Sequence, residues 1–183
     1  MLRSLAPLSV GLLMSVTGLF GQPTGVWLDV PFLRQEKNGC GAASIAMVMQ
    51  YWQHQQGKQP SADPDRIQRA LYSRPAQGIL ASGMEGYFEH HGFRSFAFAG
   101  EWSDLKEHLD KGRPLIVALA PRRSSLHYVV VAGLDWQQGV VFKNDPAERK
   151  LLKQGRSEFE KEWKAAGNWT LLAIPQQEDH SVP

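Results

Sequence analysis

The chain has 183 residues, a formal net charge of +2, a 43% hydrophobic fraction and six tryptophans, but a single cysteine. So small a charge offers no field for nucleic acid, and one thiol excludes an internal disulfide and any cysteine-rich metal site. What remains is a globular domain with a core of ordinary size.

Residues 1–21 carry Arg3 and then "LAPLSVGLLMSVTGLF" (5–20), apolar and uncharged, with Gly18 and Gly21 near its end. That is the charged, apolar and small-residue succession of a secretory signal. Pro7 and Gly11 make it a poor spanning helix, and it is shorter than the roughly 18 apolar residues a span needs. The expectation is a signal peptide over 1–21 and an exported chain, periplasmic or extracellular, with an uncleaved membrane anchor as the alternative. The folded domain is expected over 22–175, with no stable membrane span, followed by a flexible polar tail over 176–183.

"VWLDVPFL" (26–33) reads as a short strand closing at Pro31. "CGAASIAMVMQYW" (40–52) is apolar on nearly every side, which marks a buried helix. Asp63 before Pro64 is an N-cap followed by proline at the first helical position, opening a helix to about Tyr72. Ser82 with Glu85 forms a capping box for a helix that closes at Gly92. "FRSFAFA" (93–99) alternates as a strand, and "WSDLKEHLDKG" (102–112) is a short helix.

After Pro114 the character changes. "PLIVALA" (114–120) is a continuous apolar run typical of a buried strand, and "PRRSS" (121–125) reads as a solvated loop. "LHYVVVAGL" and "GVVFKND" flank "DWQQ" as a hairpin. Ser157 and Glu160 suggest a second capping box, Gly167 ends that helix, and "WTLLAIP" (169–175) is the last strand. The fold class is therefore α+β, a helical first half packed against an antiparallel sheet.

Cys40 falls at the first turn of the buried helix, where unpaired N–H groups and the positive end of the dipole favour a thiolate. A helix N-terminus and a cationic histidine bring a thiol from about 8.5 to roughly 3.5–7.5. Gly39 lets the chain turn into the helix, and Gly41 leaves room for a substrate backbone to approach. Five histidines, His54, His90, His91, His108 and His180, fall in loops, on helix faces or in the tail. His127 instead enters a strand whose next residues, Tyr128 to Val131, are apolar on both faces, so it stands at the mouth of a buried sheet and is the candidate base.

The hairpin supplies a third group, with its identity open. If Gly133 faces Gly139, Asp145 lies opposite His127 at about 5 Å between Cα atoms. A slip of two residues keeps Asp145 on the same face, diagonally, at about 7–8 Å. A slip of one offers Asn144 instead. Gln35, five residues before the cysteine, could join the Cys40 N–H in an oxyanion hole. His90 and His91 diverge on their helix and no ligand set has metal spacing, so no metal or organic cofactor is expected.

"VPFLRQEKNGCGAASIAMVMQYW", "LHYVVVAGLD" and "NDPA" together resemble the bacteriocin-processing, double-glycine cysteine peptidase family of papain-like fold. The family order of Gln, Cys-Gly opening a helix, His-Tyr in a strand and Asp-Pro after the next strand recurs at Gln35, Cys40-Gly41, His127-Tyr128 and Asp145-Pro146. The resemblance runs from about Val26 to Pro175 and implies a Cys40–His127–Asp145 triad, favouring Asp145 over Asn144; the best-known relatives are fused to a transporter, whereas the expectation here, with the signal over 1–21, is a stand-alone exported domain. The resemblance also implies a peptide or protein substrate. The alternatives are a catalytically silent peptide-binding module and a thiol acyltransferase.

Overall fold

The structure, a computed structural model, describes residues 25–122 and 125–176. The expected signal peptide and the tail from residue 177 onward lie outside the described residues. Five helices and nine strands are found among the described residues: β1 (Gly25–Trp27), α1 (Cys40–Gln55), α2 (Pro64–Leu71), β2 (Tyr72–Ser73), β3 (Gly78–Ile79), α3 (Ala81–His90), β4 (Phe93–Ala99), α4 (Trp102–Asp110), β5 (Leu115–Arg122), β6 (Ser125–Asp135), β7 (Val140–Asn144), β8 (Leu152–Gly155), α5 (Arg156–Ala165) and β9 (Trp169–Pro175). The main sheet runs β4-β9-β5-β6-β7-β8, all antiparallel, and β1 pairs with β6 beyond the end of β5.

Two cores lie on opposite faces of that sheet. On one face α1 presents Ala42, Ile45, Ala46 and Met49 to Tyr128, Val130 and Ala132 of β6. Leu105 and Leu109 of α4 and Phe159 and Trp163 of α5 cover the other face, against Val117, Leu119, Val129 and Val131. The period-two alternation of a strand sends successive β6 residues to these two cores, which is why Tyr128 to Val131 must all be apolar. The expected α+β packing of a central helix against an antiparallel sheet is what the structure shows, with α4 and α5 covering the face opposite α1.

Several elements stand where the sequence places them. The Asp63 side chain accepts the Asp65 N–H at 2.9 Å, with Pro64 opening α2. Others are corrected. The first strand closes at Trp27, not at Pro31. From Leu28 onward the chain leaves the ladder, and Val30 and Pro31 give their carbonyls to the side chain of Asn144 at 3.1 and 3.3 Å. Neither Ser82 nor Ser157 caps a helix. The N-caps are Leu80 and Gly155, because β3 and β8 run almost directly into α3 and α5 and leave no loop for a capping residue. Of the "PRRSS" stretch, Pro121, Arg122 and Ser125 are strand residues, β5 reaching Arg122 and β6 starting at Ser125 across an irregular register, and residues 123–124 lie outside the described residues. Gln176, expected to begin the tail, is tied to the sheet through Gly92 and Phe93.

The β6–β7 register decides what faces His127. Near the turn Gly133 pairs with Phe142, not with Gly139, and that pairing alone would put Asn144 on the face of His127. A bulge between Val131 and Gly133 inserts one residue into β6, so that Val130 pairs with Asn144. One extra residue on one strand reverses the face of everything beyond it. Asp145 therefore shares the face of His127, and the carbonyl of the bulged residue, Ala132, accepts the N–H of Leu28 at 2.7 Å.

Candidate active site

Cys40 is the first residue of α1, so its N–H and those of the next residues lack intrahelical acceptors. The turn before it is built on Asn38, which takes the left-handed conformation at φ 58°. Gly39 follows at φ −97°, donating its N–H to Glu36 O at 3.0 Å. A Cβ on Gly39 would stand 3.1 Å from that same carbonyl, so closeness rather than backbone handedness calls for glycine there. Gln68 of α2 fastens the turn by donating to Asn38 O at 3.3 Å.

A Cβ on Gly41 would meet Ile79 Cβ at 3.0 Å and the Tyr128 ring at 3.5 Å, so glycine there lets α1 pack closely against a wall formed by β3 and β6. Gly39 is buried as well. The β2–β3 hairpin, whose two-residue strands sequence reasoning missed, supplies the β3 part of this wall.

His127 and the Cys40 thiol interact through hydrogen bonding and charge, each shifting the other's pKa. Its Nε2 meets Asp145 Oδ1 at 2.7 Å, so Nδ1 is the nitrogen left for sulfur. His127 keeps 20% of its side-chain surface exposed and Asp145 only 5%, which places the imidazole at a surface opening and the carboxylate behind it. Asp145 Oδ1 also accepts the Ala147 N–H at 3.0 Å, and Lys143 Nζ stands 3.7 Å from Oδ2.

The electrostatics follow. Burial alone would lower the His127 pKa, but the hydrogen bonds and charges of Asp145 and Cys40 outweigh it and push it up to about 9. Burial would raise the Cys40 thiol, yet the His127 hydrogen bond, the backbone groups of Tyr128 and Gly41 and the His127 charge bring it below its usual value. Burial likewise opposes Asp145, whose carboxyl is nonetheless held low by His127, Lys143 and the Ala147 N–H. The sulfur and the ring thus favour a thiolate–imidazolium pair.

Asn144, the alternative that the sequence left open, points the other way. It is fully buried, donates to Val30 and Pro31, and accepts the Leu151 N–H at 2.9 Å. Gln35 has its backbone N–H on Pro146 O at 2.9 Å, while its side-chain Oε1 is buried with no hydrogen-bond partner among the described residues. Beside it, the Arg34 guanidinium donates to Ala147 O and Glu148 O at 3.4 and 2.9 Å. Sequence reasoning missed both Arg34 and Lys143; the alternation that puts Asp145 on the His127 face puts Lys143 there too and could have flagged it.

A helix-borne thiol against a sheet-borne imidazole, on an α+β scaffold, defines the papain-like cysteine peptidase fold. Residues 27–171 match the Peptidase_C39-like family, and the chain belongs to that family. No curated protein matches the sequence significantly. Among solved structures, a C39-like peptidase candidate from Bacillus anthracis superposes with a TM-score of 0.67 at 17% identity, over 83% of this chain and 98% of the other. A double-glycine-motif protease from an AMS/PCAT transporter, solved with its leader peptide, gives 0.66 at 22% identity over 82% and 95%. The peptidase domain of Streptococcus ComA, a bifunctional ABC transporter of a quorum-sensing pathway, gives 0.63 at 21% identity over 80% and 98%. At these identities the likeness is one of fold.

Proposed function

We propose that this protein is a cysteine peptidase hydrolysing peptide bonds through Cys40, His127 and Asp145. The observation that carries the reading is the continuous chain from thiol to imidazole to carboxylate, with thiol and ring shifted toward the ion pair. The Cys40 thiolate attacks the carbonyl carbon of a peptide. The His127 imidazolium gives its proton to the departing amine, leaving a thioester on sulfur. A water then attacks that thioester; His127 takes its proton, and collapse expels the acid product from sulfur, restoring the thiolate and the imidazolium.

Asp145 holds Nε2 and keeps Nδ1 turned toward sulfur. The Cys40 N–H and the Gln35 amide stabilise the oxyanion, a contribution of roughly 3 kcal/mol per donor in such sites. The substrate is a peptide or protein segment, by analogy with the leader-peptide complex of the transporter protease. No helix among the described residues is long and apolar enough to cross a membrane, and we place the domain outside the cytoplasm on the strength of its first 21 residues. N-terminal sequencing of the protein recovered from the periplasm or medium tests that placement: a start near residue 22 supports it, and recovery only from the cytoplasm with Met1 intact refutes it.

The test of function is a random peptide library incubated with wild type and Cys40→Ala. Products from wild type alone support the peptidase. Binding without products, equal in both proteins, identifies a silent peptide-binding module. Capture of the acyl group by an added amine in place of water identifies an acyltransferase.

A further inference from the structure

Lys143 is an anomaly in its surroundings. It lies in the middle of β7 between Val131 of β6 and Leu152 of β8, and only 6% of it is exposed. Lysine is almost never buried to this degree unless it is paired, and an apolar residue would suit a strand position between two apolar neighbours. Its ion-pair partner is Asp145 Oδ2, at 3.7 Å. That oxygen is the one His127 does not use, since Nε2 and the Ala147 N–H both take Oδ1. Residues 143 and 145 share a face by strand alternation, so the contact follows from the register that aims Asp145 at the histidine.

We propose that Lys143 is a fourth member of the catalytic centre, a positioning residue whose ammonium restrains Oδ2 so that Oδ1 stays aimed at Nε2, and whose charge sets the pH range of the thiolate–imidazolium pair. The proposal rests on the peptidase reading and deepens it. A carboxylate gripped on one oxygen only can swing about its Cβ–Cγ bond; gripped on both, it presents a fixed acceptor. A positive charge behind the carboxylate also competes with the imidazolium for it, so that His127 gives up its proton more readily than a lone Asp–His pair would allow.

The other groups facing the carboxylate do not duplicate this role. From β6 comes His127, and from α1 comes Cys40 acting through that ring. Arg34, in the loop before α1, is hydrogen bonded to the carbonyls of Ala147 and Glu148 and not to the carboxylate. From the turn after β7 comes the N–H of Ala147. Lys143 is the cation that, with His127, holds the Asp145 carboxyl low.

The experiment is the iodoacetamide alkylation rate of Cys40 from pH 4 to 11 in the full-length protein, which needs no substrate. Wild type is expected to show two inflections, the lower for the thiol and the upper for His127. Lys143→Met is expected to move both upward, the upper one by about one pH unit, while Lys143→Arg keeps both within about 0.3 units of wild type. Lys143→Gln, with a polar neutral head, serves if the Met variant does not fold and should behave as that variant does. Inflections that stay in place or move downward in folded Met or Gln variants would overturn the proposal. So would failure of both to fold while the Arg variant folds with an unchanged profile, because the residue would then be structural. A wild type with the single inflection of an ordinary thiol would overturn the peptidase reading itself, a separate result.

Discussion

Asp145→Asn is the most informative single substitution, because an amide oxygen can still accept the His127 Nε2–H over the same 2.7 Å while the charge is gone. The His127 pKa stands at about 9 against an ordinary 6.5, a difference worth roughly 3 kcal/mol in favour of the imidazolium. Asp145 and Cys40 share the effect; if about half belongs to Asp145, its loss costs roughly 1.5 kcal/mol and lowers the His127 pKa by about one unit. The assay is iodoacetamide alkylation from about pH 5 to 10 followed by intact mass. Both proteins should label alike near pH 6, where His127 stays protonated, and the upper inflection of Asp145→Asn should fall by about one pH unit. Superimposable pH profiles would refute the reasoning, as would a loss equal at every pH, which signals displaced geometry and not a lost charge.

Asn144→Ala should destabilise the fold by about 2–3 kcal/mol in denaturant titration, since it strands the buried Leu151 N–H and releases the Val30 and Pro31 carbonyls; an unchanged midpoint would refute the anchoring role. Gly41→Ala should lower thermal stability because its Cβ meets Ile79 at 3.0 Å, and adding Ile79→Ala should recover part of the loss, whereas simple additivity of the two losses would exclude that clash. In Cys40→Ala, where His127 keeps Asp145 as its raising partner, the stabilisation from that raised pKa should be fully present below pH 6.5 and lost as pH rises through the folded value. In wild type the depressed thiol offsets this, because its contribution is present above its unfolded value of 9.0 and lost as pH falls through its lowered one. The two contributions oppose each other, so the unfolding free energy of wild type should decline less steeply with rising pH than that of the variant. Parallel curves would refute this.

The residues that could be read from sequence were those whose role is set locally. Asp63 and Pro64 fix the start of α2 by themselves, and the all-apolar run after Cys40 can only be an interior helix. What could not be read depends on chain brought from elsewhere. Ser82-x-x-Glu85 and Ser157-x-x-Glu160 have the right letters for caps, yet the strands immediately upstream set the helix entry. The strands of Tyr72–Ser73 and Gly78–Ile79 are too short to have a period, so the wall against Gly41 stayed hidden. The choice between Asn144 and Asp145 turns on one bulged residue, Ala132, which alternation cannot reveal because both strands look regular on either side of it.

The grip of Arg34 and Gln35 on the Asp145–Glu148 turn has a mechanical consequence. The segment that feeds the nucleophile into its helix is stapled to the segment that bears the acid, five residues upstream of the sulfur. Thermal breathing that lifts α1 from the sheet must either drag the carboxylate with it or tear the staple open, so small excursions leave the two ends of the proton path in step. A ligand pressing on residues 34 and 35 is therefore felt at once at residues 146–148, through the hydrogen bonds that join the two segments.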